Sequence, residues 1–349
     1  MIVEMRMGAT QEQLDAVIER ARQFGFDVQV NVGTDKFVVA ILGSDTGRCP
    51  TESFAVLAGV QSVTRIMRPF KLASREFRPD RTVVRAGPVE IGGDDLAIIA
   101  GPCSVESREQ LMETTAAVVA AGACMLRGGA FKPRTSPFSF QGMGMEGVDL
   151  LCEARTAFGV PVVSEVTDAH YIEAMAEHLD VLQIGARNMQ NYVLLRAAGE
   201  TGKPCILKRG LSATITEWLQ AADYLLAAGT GGVILCERGI RTFETSTRFT
   251  LDVGAIGVVK RESHLPVIVD PSHAAGHYEL VPTLALAAVA AGADGLMIEV
   301  HPHPQDALSD GLQSLTPKSF ARLMSQISAV AGAVGRGVQQ PSGGQLGIG

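Results

Sequence analysis

Leu126-Arg127-Gly128-Gly129-Ala130-Phe131-Lys132-Pro133-Arg134-Thr135-Ser136-Pro137 places two arginines and a lysine within eight residues, spaced by glycine and proline and flanked by apolar residues. Glycine lets a backbone approach a ligand closely, while proline stiffens a loop and removes amide donors. Such a segment can hold fixed cations around an anion, because a guanidinium engages carboxylate and phosphate oxygens in pairs. A solvated basic loop would look the same in isolation. Recurrence separates the two readings, since comparable signals return at regular intervals downstream.

The stretch begins at the end of one of eight short apolar runs. After a small hairpin at 82–91, strands are expected at 96–100, 124–127, 161–165, 181–184, 204–208, 233–237, 267–270 and 295–299. Helical segments separate them. Ser107-Arg108-Glu109-Gln110 and Thr214-Ile215-Thr216-Glu217 have the form of capping boxes, and Ala-Ala-Gly repeats at 120–123, 227–230 and 290–293 put glycine where a helix end wants a left-handed residue. Eight β/α units in roughly 250 residues predict an α/β fold, a (β/α)8 TIM barrel. A doubly wound open sheet is the rival, but no glycine-rich nucleotide fingerprint follows the first strand.

Residues 1–70 read as a separate unit, with strands at 1–7, 26–32, 36–42 and 60–67 and helices at 10–24 and 51–58. The order βαββαβ is the ferredoxin-like pattern. No cluster of His, Cys and carboxylates falls in it, so no chemistry is expected there, and a regulatory role rests on analogy. Residues 71–80 read as a linker, 81–336 as the barrel and 337–349 as a flexible tail rich in Gly and Gln.

A chain of 349 residues, 46% hydrophobic and 19% charged, has the composition of a soluble globular protein. No run approaches the roughly 20 apolar residues of a membrane span, and no signal peptide is evident at the N-terminus. The most apolar region, 280–293, reads as a buried helix. Six cysteines without a Cys-x-x-Cys pair argue against a disulfide scaffold and fit a reducing cytoplasm. A net charge of −7 argues against nucleic acid as a partner. An anionic substrate would instead need local positive charge, which the opening stretch offers.

In a TIM barrel the chemistry lies where strand C-termini converge. Those positions carry Cys103, Arg127 with Lys132 and Arg134, Glu165, Arg187, Lys208, Arg238, His273 and Glu299. Any one of them could be a rim salt bridge, yet Glu165 and Lys208 end apolar runs, where a buried charge is costly unless paired. Two constellations separate. Arg127, Lys132, Arg134, Arg187, Lys208 and Arg238 would line a pocket for more than one phosphate or carboxylate. Cys103, His273, Glu299 and Asp310 together offer a thiolate, an imidazole and two carboxylates, a set that suits one divalent transition metal (Mn, Fe, Co or Zn). His301 is expected behind the ligands and His303 at the surface.

Ile99-Ala100-Gly101-Pro102-Cys103-Ser104-Val105-Glu106, the 126–142 stretch, Gln183-Ile184-Gly185-Ala186-Arg187-Asn188, Leu207-Lys208-Arg209-Gly210, Cys236-Glu237-Arg238-Gly239, Asp270-Pro271-Ser272-His273 and Glu299-Val300-His301-Pro302 resemble 3-deoxy-D-arabino-heptulosonate 7-phosphate (DAHP) synthase. The likeness is to the branch with an N-terminal ferredoxin-like regulatory domain, and it covers nearly the whole chain. It implies condensation of phosphoenolpyruvate with erythrose 4-phosphate, the entry to the shikimate pathway, chorismate and the aromatic amino acids. By the family's pattern Arg127, Lys132, Glu165, Gly185, Ala186, Arg187, Lys208 and Arg238 would surround phosphoenolpyruvate. Lys132, Pro133, Arg134, Thr135 and Ser136 would line the sugar phosphate site, and Cys103, His273, Glu299 and Asp310 would hold the metal with one position left open. Lys132, Glu165, His273 and Cys103 would carry the catalysis; Glu165, Lys132 and water on the metal all stay candidates for handling the water proton. The resemblance further implies a homo-oligomer, dimer or tetramer, and an aromatic inhibitor, Tyr or Phe, acting through residues 1–70.

One departure is visible: Ala274-Ala275-Gly276-His277-Tyr278 stands where relatives often carry consecutive basic residues. Of the rival functions, the sister enzyme 3-deoxy-D-manno-octulosonate 8-phosphate synthase resembles Lys-Ala-Asn-Arg-Ser where this chain has Lys132-Pro133-Arg134-Thr135-Ser136, and it lacks the fused domain. A chorismate mutase fusion would be all-helical. A non-catalytic metabolite sensor would not need a full set of metal and cation positions.

Overall fold

The computed structural model describes residues 1–32, 36–43, 46, 49–65, 69–133, 136 and 138–341. They form two compact units, Met1–Arg81 with Glu262–His264, and Thr82–Arg261 with Leu265–Gly349.

The first unit contains β1 (Ile2–Met5), α1 (Gln11–Gln23), β2 (Asp27–Val32), β3 (Phe37–Leu42), α2 (Glu52–Ala55) and β4 (Val60–Thr64). Its antiparallel sheet runs β2-β3-β1-β4, the ferredoxin-like arrangement. α1 opens on a capping box in which Thr10 and Gln13 satisfy each other's backbone amides. Its Leu14, Val17 and Ala21 recur at helical spacing and pack into one core with Val3, Met5, Val39, Ile41 and Phe54. α2 is a single turn rather than the expected eight residues, since Thr51 is itself helical and its side chain makes no capping bond. The expected linker is packed: Leu72, Ala73 and Phe77 are buried, Ser263 Oγ donates to Ala73 O at 2.5 Å, and His264 Nε2 lies 2.7 Å from Leu72 O.

The second unit opens with the hairpin β5 (Val84–Ala86) and β6 (Val89–Ile91). Then come β7 (Ala97–Gly101), α3 (Arg108–Ala120), β8 (Met125–Arg127), α4 (Met145–Phe158), β9 (Val162–Val166), α5 (Ile172–His178), β10 (Val181–Ile184) and α6 (Tyr192–Glu200). The chain continues through β11 (Cys205–Lys208), α7 (Ile215–Ala227), β12 (Val233–Glu237), α8 (Val253–Glu262), β13 (Val267–Val269), α9 (Pro271–Ala275), α10 (Val281–Ala290), β14 (Gly295–Glu299) and α11 (Pro317–Ala333). Strands β7 to β14 pair in parallel and close into a barrel, β14 meeting β7 over five residue pairs.

Each barrel strand ends within about a residue of its expected position, because most runs of apolar residues are terminated by a polar or charged one, while β7 and β10 give way to glycine at Gly101 and Gly185. Thr214 and Glu217 form the expected capping box of α7, but Ser107 supplies only half of one; Gln110 Oε1 accepts from Glu106 N instead. Gly122, Gly229 and Gly292 all take positive φ, and the paired bonds behind them (Gly122 N to Val119 O, Ala123 N to Val118 O) are those of Schellman ends.

The hairpin is part of the barrel's closure. Val84, Ala86, Val89 and Ile91 join one buried cluster with inward residues of all eight strands. A side chain at Gly232, just before β12, would strike Val84, which puts the hairpin at the strand N-termini and leaves the opposite end open. Residues from 337, expected as a flexible tail, are tied at their start to the residue just before β7: Leu96 N donates to Gly337 O and Gln339 N to Leu96 O, both at 2.9 Å.

Candidate active site

The strand C-termini end in a ring of charge. β8 delivers Arg127, buried, with Nη1 donating to Glu299 Oε1 at 2.7 Å and Nη2 to Cys103 O at 3.0 Å. β11 delivers Lys208, whose Nζ donates to Asp270 Oδ2 at 2.5 Å. The next residue, Arg209, turns from the cavity and donates to Glu237 and Asp252, each at 2.9 Å. Removing a buried charge's partner costs more than the pair contributes, so these contacts decide which cations can persist here.

Two glycines allow the close approaches. At Gly101 (φ 151°) a Cβ would lie 2.1 Å from Arg127 O, so only glycine lets the end of β7 run against that of β8. At Gly185 a Cβ would lie 2.0 Å from Glu165 Oε1; the carboxylate rests on the bare backbone and accepts from Gln183 Nε2 at 3.2 Å.

A cavity of about 680 Å³, counting space open to solvent, occupies the barrel mouth. Lys132, Arg187, Lys208, Arg238 and Arg248 give its walls their positive charge, with Glu165, His273 and Asp310 among them and Pro133, Gly185 and Ala186 along one side. Lys132 Nζ sits 3.0 Å from Cys103 Sγ and 3.1 Å from Cys103 O. Arg187 Nη1 donates to Pro133 O at 2.7 Å. Arg127, expected against the ligand, lines a smaller pocket that shares Lys132 and Glu165 with the main cavity, and it donates to Glu299 and Cys103 O. Ser136 is exposed and does not line the main cavity. Arg134 and Thr135 lie outside the described residues.

Three of the four expected metal donors converge: Cys103 Sγ and one oxygen each of Glu299 and Asp310 lie within 4.8 Å of one another. Burial, then the Glu299 charge, pushes the Cys103 thiol up to about 12, only partly opposed by Lys132, and Sγ–H donates to Asp310 Oδ2 at 3.2 Å. His273 is not within that close group. Its Nδ1 is buried 2.8 Å from Asp270 Oδ2 and 3.7 Å from Glu299 Oε1. Burial also pulls the imidazole below its ordinary pKa, opposed by the Asp270 and Glu299 charges, a shift toward the neutral form a metal requires. Thiol, two carboxylates and an imidazole are a donor set that fits a divalent transition metal. His301 is buried with Nε2 3.2 Å from Glu106 Oε2, and His303 is exposed.

Sequence reasoning missed the residues that hold this set. Gln313 Nε2 donates to Glu299 Oε2 at 2.6 Å, and Arg248 Nη1 to Gln313 Oε1 at 2.7 Å, with Asp310 Oδ1 3.5 Å away. No local signal marks either residue. Asp270, partner of both Lys208 and His273, could have been found as a carboxylate ending an apolar strand. Asp270→Asn leaves Lys208 buried beside a neutral amide, so thermal unfolding should report a loss of about 3 kcal/mol or more; an unchanged melting temperature would mean that Lys208 is compensated elsewhere.

Comparison with known proteins points to one family. Residues 81–333 match the model of the DAHP synthetase I family, and residues 1–68 that of the DAHP synthase ferredoxin-like domain. A phospho-2-dehydro-3-deoxyheptonate aldolase of Thermotoga maritima is 47% identical over 335 residues, 96% of this chain and 99% of its own. A 2-dehydro-3-deoxyphosphooctonate aldolase of a Bradyrhizobium species is 33% identical over 266 residues, 71% of this chain and 92% of its own. The crystal structure of the Thermotoga maritima DAHP synthase matches with a TM-score of 0.77 and 46% identity, covering 97% of this chain and 99% of that one. A truncated form of the enzyme matches with 0.73 over 77% of this chain and 99% of that one. The chain belongs to the DAHP synthetase I family and carries a DAHP synthase ferredoxin-like domain at its N-terminus.

Proposed function

We propose that the chain condenses phosphoenolpyruvate with erythrose 4-phosphate and water to give DAHP and phosphate. The observation that carries this reading is the meeting, at one barrel mouth, of a cation-walled cavity with the Cys103, Glu299 and Asp310 donor set. Phosphoenolpyruvate brings a carboxylate and a phosphate. Lys132, Arg187, Lys208 and Arg238 are spread over the wall so that both can be held at once, which turns a two-substrate encounter into an oriented one. The enol carbon forms its bond to the aldehyde carbon, water adds at the adjacent carbon, and phosphate leaves with cleavage of the carbon–oxygen bond. A divalent metal on Cys103, Glu299, Asp310 and His273 supplies, when bound, Lewis-acid polarisation of the aldehyde oxygen. Glu165, held by Gln183 at the cavity edge, and Lys132 are the protein groups placed to move the water's proton.

The test is phosphoenolpyruvate consumption by chelator-stripped protein, with and without added Mn²⁺, offered erythrose 4-phosphate or arabinose 5-phosphate. Metal-dependent turnover with the four-carbon sugar alone is expected. Preference for the five-carbon sugar would move the chain to the reaction of its octonate relatives, and no turnover with either in a metal-loaded, folded sample would favour a sensor. Cys103→Ala should lose bound metal and turnover together; one metal per chain retained in elemental analysis would remove Cys103 from the ligand set.

Among the described residues of 1–70 none lines the cavity or joins the donor set, and we assign this segment to effector binding, with Tyr or Phe as the ligand. Deleting them should leave turnover in place and abolish inhibition by either amino acid; inhibition that survives the deletion would refute the assignment.

A further inference from the structure

Among the described residues, four cations at the strand ends are almost wholly buried: Arg127, Lys208, Arg209 and Arg238. Three are neutralised by carboxylates, Arg127 by Glu299, Lys208 by Asp270, and Arg209 by Glu237 and Asp252. Arg238 has no carboxylate at salt-bridge distance. Its hydrogen bond is a long one, Nη1 to Gly239 O at 3.4 Å. What faces it is an aromatic ring: the guanidinium carbon lies over Phe249, 4.1 Å from the ring centroid. A ring face attracts a cation without cancelling its charge and without occupying its in-plane N–H donors. Burial pulls the Arg238 pKa below its ordinary value, opposed by the Asp270 carboxylate, as befits a charge that still lacks a full counterion.

The backbone that carries the ring is held on both sides. Phe249 lies in the loop between β12 and α8, which doubles back so that Ile240 and Thr250 exchange backbone bonds at 2.9 and 3.0 Å. Phe249 N donates to Ala274 O at 3.0 Å, and a Cβ at Gly239 would come within 2.7 Å of Phe249 Cβ. Both arginines near the ring line the cavity, Arg248 standing 5.9 Å from the same centroid.

We propose that Phe249 is a positioning residue for the phosphate end of the substrate: its ring holds Arg238 on the cavity wall where a carboxylate would have neutralised it, and so keeps one buried positive charge available to a phosphate. The inference rests on the reading of the cavity as a phosphoenolpyruvate pocket. Without the ring Arg238 loses its support and can swing toward Asp270, so anion affinity falls while the bond-making groups stay where they are.

The full-length protein is titrated calorimetrically with inorganic phosphate and with phosphoenolpyruvate, and KM and kcat are measured on the same samples. Phe249→Leu should weaken both anions and raise KM for phosphoenolpyruvate about tenfold, with kcat changed by no more than about twofold. Phe249→Tyr, which keeps the ring, should bind as the wild type does. Equal affinities in the wild type and Phe249→Leu overturn the proposal, and so does a Phe249→Tyr variant as weak as the leucine one. If Phe249→Leu does not fold, Phe249→Met removes the ring with a flexible side chain and is read by the same criteria. The two readings fail differently. Wild-type protein that binds phosphate but condenses nothing overturns the proposed function alone; wild-type protein that binds neither anion overturns both.

Discussion

A cation buried at the mouth of a barrel must find an anion, and this protein is arranged around which cations find theirs inside the chain. Arg127 and Glu299 come from strands that are not neighbours, β8 and β14, and meet across β7 at 2.7 Å. Lys208 and Asp270 likewise join the ends of β11 and β13 past β12. These ties are not cheap, since each ion gives up its hydration, and replacing such pairs by apolar residues is often neutral or stabilising. Their value here lies in placement. They leave a wall on which Lys132, Arg187 and Arg238 have no carboxylate at salt-bridge distance among the described residues, and the field they create is focused into a cavity with low-dielectric sides.

The carboxylates serve two roles at once. Glu299 accepts from Arg127 with one oxygen and from Gln313 with the other, so its orientation is fixed before any ion arrives. Asp310 is the one non-glycine residue with positive φ among the described residues, at 48°. A left-handed conformation at an aspartate is tolerated but uncommon, and it is what turns this side chain back from the loop after β14 toward Cys103. Preorganised donors of this kind cost little rearrangement on binding.

The scaffold makes such an arrangement possible through the hairpin at the other end. Because β5 and β6 close the strand N-termini with apolar side chains, the barrel interior is a packed core and the open end alone admits a ligand. Glycine does the corresponding work at the mouth. Gly101 and Gly185 remove the atoms that would hold β7 from β8 and Glu165 from the β10 loop.

Much of this was legible in the residues. Short apolar runs, most of them ended by a polar or charged side chain, determine the eight strands, since a parallel strand covered on both faces tolerates little else. The same pattern determines which side chains stand at the strand ends, and therefore Cys103, Arg127, Glu165, Lys208, Arg238 and Glu299 as members of one rim. Sequence by itself could not say how those members divide. That Arg127 is consumed by Glu299, that Lys208 is shared with Asp270, that Phe249 rather than a carboxylate meets Arg238, and that Gln313 and Arg248 hold the donor set were decided only by the tertiary structure. The physical reason is range. Strand formation depends on neighbours a few residues apart, whereas neutralisation of a buried charge depends on whatever atom lies within about 4 Å, and in a closed barrel that atom can come from anywhere in the chain.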